Sequence, residues 1–212
     1  MARVKEHCDA LGQKTVDALK KNNFTAVYFS GKEEAVKYVL NFIEPGMKVG
    51  IGGSITLDQL ELPPKAAEKG ATVLNHNLPD LSPEEKLAIR REQLLCDVFL
   101  SSTNGITVEG SLVNIDGTGN RVGAMAFGPQ KVIVIAGINK ICRDEEAALK
   151  RIQINAAPQN NSRLKLANPC TMAGVCMDCK GKTRICNIYT VIRRKPTLTD
   201  MTVVIIGEEL GY

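Results

Sequence analysis

Near its C-terminal end the chain places four cysteines within 17 residues, in the run Pro169-Cys170-x5-Cys176-x2-Cys179-x6-Cys186. Thiolates are soft donors, and four of them, with Gly174 and Gly181 to let the chain wrap tightly, suit a single inorganic centre. Zinc in a four-thiolate site usually takes two closely spaced pairs, whereas this run has one Cys-x2-Cys pair with a longer arm on either side. A [4Fe–4S] cluster is larger and tolerates uneven arms, so the cluster is the first expectation and zinc the second. Lys180, Lys182 and Arg184 fall among the donors and would offset the negative charge of either centre. Cys8, Cys96 and Cys142 lie apart and read as packed thiols.

Three other groups are suited to a polar or anionic ligand. Gly50-Ile51-Gly52-Gly53-Ser54-Ile55-Thr56 follows a short strand pattern and precedes a helix pattern. Backbone N–H groups at such a turn bind phosphate or carboxylate, which makes Gly50, Gly52, Gly53, Ser54 and Thr56 candidate ligand-binding residues. The loop is neither Gly-x-Gly-x-x-Gly nor a Walker loop, and a plain turn with a Ser or Thr cap is the simpler reading. Its place at a strand-to-helix edge, where α/β sheets bind ligands, favours the ligand. The second group is the block from Asn104 to Val122, in which Glu109 is a candidate general base or nucleophile. Asn104, Asn114, Asp116, Asn120 and Arg121 are candidates to orient the ligand. Hairpin turns account for Asn104-Gly105 and Asp116-Gly117, but not for a Glu beside Gly110 or an Arg after Gly119-Asn120. The third is Lys140, just beyond an apolar strand, placed to neutralise an anion or to act catalytically. The only histidines are His7 and His76, which argues against a His-based triad or zinc-protease site.

The elements that must position these groups alternate. Helix patterns at 3–22, 32–43, 82–95 and 143–155, with a shorter one interrupted at Pro63-Pro64, are interleaved with strand patterns. The strands fall at 24–30, 48–51, 71–74, 97–101, 111–115, 131–136 and 201–206. Val132-Ile133-Val134-Ile135-Ala136 has no polar alternation, as expected of a strand covered on both faces. The expectation is an α/β fold: a mostly parallel sheet flanked by helices, with an antiparallel, turn-rich insertion at 105–125. A single domain spanning 1–212 is expected, with a Cys-rich metal-binding segment at 168–190 before the last strand.

Composition narrows the function. The 212 residues carry a net charge of +4, with 44% hydrophobic and 24% charged residues, which is globular composition. Between Arg163 and Lys195 there are eight basic residues and one acid, Asp178, so the basic surplus is local to the cysteine segment. Nucleic acid is therefore not expected as a partner. No apolar run is long enough for a membrane span, and the charged N-terminus is unlike a signal peptide, so a cytoplasmic protein with reduced cysteines is expected.

With these residues in view the sequence resembles the LUD-domain (lactate utilisation) family. The resemblance is carried by Asn104-Gly105-Ile106-Thr107, Glu109-Gly110-Ser111-Leu112 and Asn114-Ile115-Asp116-Gly117-x-Gly119-Asn120-Arg121-Val122. Gly50–Ser54, Asn139-Lys140 and Gly207-Glu208-x-Leu210-Gly211 also fit. It implies a fold similar to that of glucosamine-phosphate isomerase, ribose-phosphate isomerase and the CoA transferases, in which a Gly-rich strand-to-helix loop binds phosphate or CoA. It also implies a role in oxidation of lactate to pyruvate through iron–sulfur subunits. The usual small member lacks a four-cysteine segment, so this chain resembles a subgroup that carries one. The leading expectation is an iron–sulfur protein of lactate or related organic-acid utilisation. Its partners would be a small anionic metabolite and redox proteins, with self-association a further candidate contact. The alternatives are an isomerase or transferase on a phosphorylated or CoA-linked metabolite, with Glu109 as base and a structural metal, and a ligand sensor without turnover.

Overall fold

The structure is a computed structural model that describes residues 2–212, with side chains from residue 3 onward. Six strands form one sheet: β1 (Thr25–Phe29), β2 (Lys48–Ile51), β3 (Thr72–Leu74), β4 (Val98–Ser101), β7 (Lys131–Gly137) and β10 (Asp200–Ile206). Their order is β1-β10-β7-β4-β2-β3, and every pairing is parallel. Such a sheet must be covered on both faces, and the central strands show how. Along β7, Val132, Val134 and Ala136 pack in one core, while Ile133 and Ile135 pack in the other. Strand residues alternate faces, so an unbroken apolar run supplies both cores at once.

On the first face, Val16 and Leu19 of helix α1 (Ala2–Lys21) and Ala124 and Met125 of α6 (Asn120–Ala126) are buried against the sheet. On the second lie Ala35, Val36 and Val39 of α2 (Lys32–Leu40), Leu57 of α3 (Ile55–Gln59), and Leu62 and Ala66 of α4 (Leu62–Glu68). Pro63 and Pro64 fall in the first turn of α4, where a missing N–H is harmless. Helix α5 (Pro83–Glu92) starts on a full capping box: the Ser82 hydroxyl accepts from the Glu85 N–H at 3.1 Å, and the Ser82 N–H donates to Glu85 Oε2 at 2.7 Å. No helix among the described residues is long and apolar enough to cross a membrane.

The turn-rich insertion is the start of a second, mixed sheet. Strands β5 (Gly105–Thr107), β6 (Leu112–Asp116), β8 (Ile141–Cys142) and β9 (Ile188–Ile192) lie in the order β8-β5-β6-β9. The β5–β6 and β6–β9 pairs are antiparallel, and β5–β8 is parallel. Sequence patterning missed β9, a half-exposed edge strand, and placed turns where α6 forms. The Gly119 backbone in the left-handed region (φ 90°) starts that helix, and burial of Val122, Ala124 and Met125 holds it. Behind this sheet runs one continuous helical stretch: α7 (Glu145–Arg151), a π turn at 152–156, and α8 (Ala157–Arg163). Ala148, Ile152, Ala156 and Ala157 pack there against Val113 and Ile115. The short helix α9 (Cys170–Ala173) opens the cysteine segment.

Candidate functional site

The parallel sheet has a switch point between β2 and β4, its neighbour. From β2 the chain moves outward to β3, and from β4 it proceeds to the other side. Ligands of open α/β sheets bind beyond the carboxyl ends of strands at such a point. A polar pocket of about 210 Å³ opens there, between the carboxyl edge of the parallel sheet, the second sheet and the α7–α8 stretch. It is lined by Gly52, Gly53, Ser54 and Thr56 after β2, Ser102 after β4, and Lys140 after β7. Asn104, Asp116, Asn120 and Arg121 line it from the second sheet and the start of α6. Ser54 makes no capping hydrogen bond with its side chain, so its hydroxyl stays available to a ligand. The Gly52 N–H, by contrast, is spent on the Leu100 carbonyl at 2.9 Å.

Lys140 is the most constrained of these residues. Only 4% of it is exposed, yet it borders the pocket. Its Nζ donates to Thr56 Oγ1 and to Ser102 Oγ, each at 2.9 Å. No carboxylate pairs with it among the described residues. Burial first, then the charges of Arg151 and Arg121, pushes its ammonium down to about 7. The C-terminal strand end packs close by. A Cβ at Gly211, whose φ is 62°, would stand 2.5 Å from Thr56 Oγ1 and 3.1 Å from Lys140 Nζ.

Asp116 and Arg121 form a braced pair. Arg121 Nε donates to Asp116 Oδ2 at 3.2 Å, and its Nη2 donates to Asn104 Oδ1 at 3.0 Å and to the Ile115 carbonyl at 2.9 Å. Asp116 Oδ1 accepts from the Gly119 N–H at 3.0 Å. Burial alone would raise the Asp116 carboxyl, but Arg121 and the Gly119 N–H outweigh it and hold the group below its usual range. Asn114, fully buried, stands behind the pocket rather than in it. Its Oδ1 accepts from Thr103 Oγ1 and from the Asn104 N–H, and so fixes Asn104. Arg151 also braces from behind, donating to the Asn139 carbonyl at 2.9 Å and the Asn104 carbonyl at 2.8 Å.

Three cationic or imidazole residues of the lining were not read as site groups from the sequence: His76, Arg90 and Arg163. His76 is 7% exposed, and its Nδ1 is buried without a partner among the described residues. Burial, with Arg90 adding to it, lowers the imidazole to about 4, so it is neutral near pH 7. Besides Asn114, two residues read as groups of the ligand site do not join the pocket. Glu109 is exposed on the turn after β5, facing α1, where Asn22 Nδ2 donates to its backbone carbonyl at 2.8 Å. Gly50 is a strand residue of β2 with Cys96, Phe99 and Gln93 packed over it; a Cβ there would meet Cys96 Sγ at 2.9 Å.

The cysteine segment abuts this pocket. Cys186 is on the lining, and Asn187 anchors the strand entry by donating from its N–H to the Asp116 carbonyl at 3.0 Å. The two arms are tied together by Asn168, which donates to Asn161 Oδ1 and the Thr183 carbonyl and accepts from Thr183 Oγ1. The π turn presents the Gln153 carbonyl to the Cys176 N–H at 2.8 Å. π turns are frequent where a helix adapts to a site. Lys180 and Arg184 are both paired with Asp178, at 3.0 and 2.8 Å, and Arg184 also donates to the Cys179 and Cys186 carbonyls. All four cysteines are unpaired thiols, and burial and their neighbours' charges push Cys186 up to about 11. Cys170 is raised likewise, first by burial and then by Cys179. Four soft donors are the right chemistry for a metal centre. In this geometry no three His, Cys, Asp or Glu side chains among the described residues are set to hold a metal ion.

Residues 12–206 match the model of the LUD domain. The chain belongs to the LUD-domain family. That membership relates it to proteins of lactate utilisation. Among solved structures, the LUD-domain chain is similar to a DUF162 family protein from Deinococcus radiodurans at 13% identity. That match covers 94% of this chain and 97% of the other, with a TM-score of 0.50, and it concerns the fold alone. It also matches eIF2B beta from Chaetomium thermophilum at 14% identity, over 55% of this chain and 44% of that one, with a TM-score of 0.38. No curated protein matches the sequence.

Proposed function

We propose that this LUD-domain protein seats a small organic-acid anion of the lactate–pyruvate type in the switch-point pocket, and that the adjoining thiol segment carries a redox centre serving that acid. The charge balance of the lining carries the first half. Arg90, Arg121, Arg163 and Lys140 border the pocket, and the one acidic side chain bordering it among the described residues, Asp116, is already committed to Arg121. A site with cations in excess and hydroxyl, amide and imidazole groups between them favours a polar anion. Arg121 and the Ser54 hydroxyl would take the carboxylate. Lys140 would hold or move a proton at the oxygen on the neighbouring carbon, a task suited to an amine that titrates near neutrality.

The support for the second half is the donor set and its place. Cys170, Cys176, Cys179 and Cys186 would hold the centre, a [4Fe–4S] cluster first and zinc second, and Cys186 borders the same pocket. When bound, a cluster would supply one-electron chemistry beside the acid. Met172 and Met177, both exposed on this segment, offer apolar contact to a redox partner protein.

Two measurements test the proposal. Iron and acid-labile sulfide in anaerobically purified protein should each approach about four per chain. Zinc in their place would remove the redox role. Calorimetry with L-lactate and with pyruvate should show binding that Arg121→Gln weakens; no binding of either acid would overturn the pocket assignment. The isomerase or transferase alternative drew its base from Glu109, which lies outside the pocket. Without Glu109 in the pocket, that alternative loses its particular support.

A further inference from the structure

We infer that Lys140 is an imine-forming nucleophile, and that the pocket captures a 2-oxo acid by a covalent bond to its amine. This rests on the organic-acid reading of the pocket and goes beyond it, naming the oxo acid and the bond that retains it. Three features lead there. A lysine kept for its charge is normally solvated or paired, whereas Lys140 is buried at the pocket wall with no acidic partner among the described residues. After burial itself, the charges that act on it are the guanidinium groups of Arg151 and Arg121, an arrangement that disfavours the ammonium form and activates amine nucleophiles.

The hydrogen bonds supply the third feature. Both hydroxyls that meet Nζ also donate onward, Thr56 to the Leu210 carbonyl and Ser102 to the Thr103 carbonyl, each at 3.4 Å. They therefore present lone pairs to Lys140 and accept its N–H groups. A neutral amine has two N–H groups, and Thr56 and Ser102 take both. The nitrogen lone pair is left without a partner among the described residues, on a group that borders the pocket. Arg121 borders the same space and would fix the carboxylate, which places the adjacent carbonyl carbon as the electrophile.

The step balances without an oxidant or reductant. The lone pair forms the C–N bond to the carbonyl carbon. The two N–H protons, already directed at hydroxyls, pass to the former carbonyl oxygen, which departs as water and leaves the C=N bond. A 2-hydroxy acid has no carbonyl and cannot form this adduct, so the chemistry separates the two oxidation states of one carbon skeleton.

Pyruvate followed by sodium borohydride should reduce the imine to a stable secondary amine, with glyoxylate as a smaller second probe. Peptide mapping by mass spectrometry is expected to find one adduct per chain, at Lys140. It should disappear in Lys140→Arg, which keeps a cation but cannot form the bond under these conditions, and in Lys140→Met. L-lactate under the same treatment should give none. Labelling spread over exposed lysines, or none at Lys140, overturns the inference. If calorimetry still shows pyruvate bound in that case, the organic-acid pocket stands and only the covalent step falls. If neither pyruvate nor glyoxylate binds, both fall together.

Discussion

Lys140→Met should make the protein more stable at pH 6, although it removes two hydrogen bonds from the candidate site. The amine is buried, is acted on by the charges of Arg151 and Arg121, and titrates at about 7 instead of the ordinary 10.5. At about 1.4 kcal/mol per pH unit, that gap corresponds to a charge-burial penalty on the order of 5 kcal/mol below pH 7. The Met side chain is close in length and carries no charge to desolvate. It leaves the Thr56 and Ser102 hydroxyls without their Nζ partner, at a cost of about 1 kcal/mol each. A net gain of roughly 2–3 kcal/mol at pH 6 remains, or a rise in Tm of about 5–10 °C for a chain of this size. The sign of the pH dependence follows from proton counts. Between about pH 7 and 10.5 the unfolded chain holds a proton on Lys140 that the folded chain lacks, so wild-type stability gains from rising pH across that window. The variant lacks that contribution. Urea unfolding of both proteins at pH 6, 7, 8, 9 and 10 gives the difference directly, and groups titrating in both cancel from it. A variant less stable than wild type at pH 6, with a difference that stays constant to pH 10, would refute the reasoning. Lys140 would then be a well-solvated ammonium, and the nucleophile inference would lose its footing.

Other substitutions separate binding from architecture. Arg121→Gln leaves Asp116 buried without its guanidinium and should cost about 3–5 kcal/mol in urea unfolding, with part of the loss recovered in Arg121→Gln/Asp116→Asn. Glu109→Gln should change neither acid binding by calorimetry nor stability, beyond about 0.5 kcal/mol, because the side chain is exposed and outside the pocket. His76 is lowered to about 4 from an ordinary 6.5, so the unfolded chain binds the extra proton between those values and stability falls as pH drops through them. His76→Gln should flatten that acid limb in pH-dependent unfolding; an unchanged limb would place the proton uptake elsewhere.

What the sequence made legible was chemistry written into short stretches. The run 132–136 announced a doubly covered strand, and the Gly52–Thr56 turn appeared at the strand end where ligands bind. Arg121 and Asp116, five residues apart, were read together and form a direct pair. Patterning failed where position depends on closure over long distances. Glu109 and Gly110 looked like a base beside a turn. The Gly110 backbone, with φ at 81°, lies so close to α1 that a Cβ would stand 2.7 Å from the Ala18 carbonyl carbon, and this packing sends Glu109 to the outside. Gly50 and Gly52, two residues apart in one motif, divide between strand packing and pocket lining because the strand ends between them.

The same reasoning explains why two arginines and a neutral imidazole of the pocket were the hardest to see. Arg90 comes from α5, Arg163 from the end of α8 and His76 from the loop after β3, and no spacing rule links the three. They meet because β3 and β4 flank β2 on opposite sides while the second sheet and the α7–α8 stretch close over the opening. Lys140 gains its character the same way. An isolated Lys after a strand is ordinarily a solvated surface group, and nothing local marks this one as different. Thr56 and Gly211, from distant parts of the chain, help to bury it, and that burial, with the charges of Arg151 and Arg121 from two further elements added, depresses its titration. Reactivity at this site is therefore a property of the closed fold, so substitutions that loosen the Gly211 or Thr56 contact should return Lys140 toward an ordinary lysine even though they leave the amine itself in place.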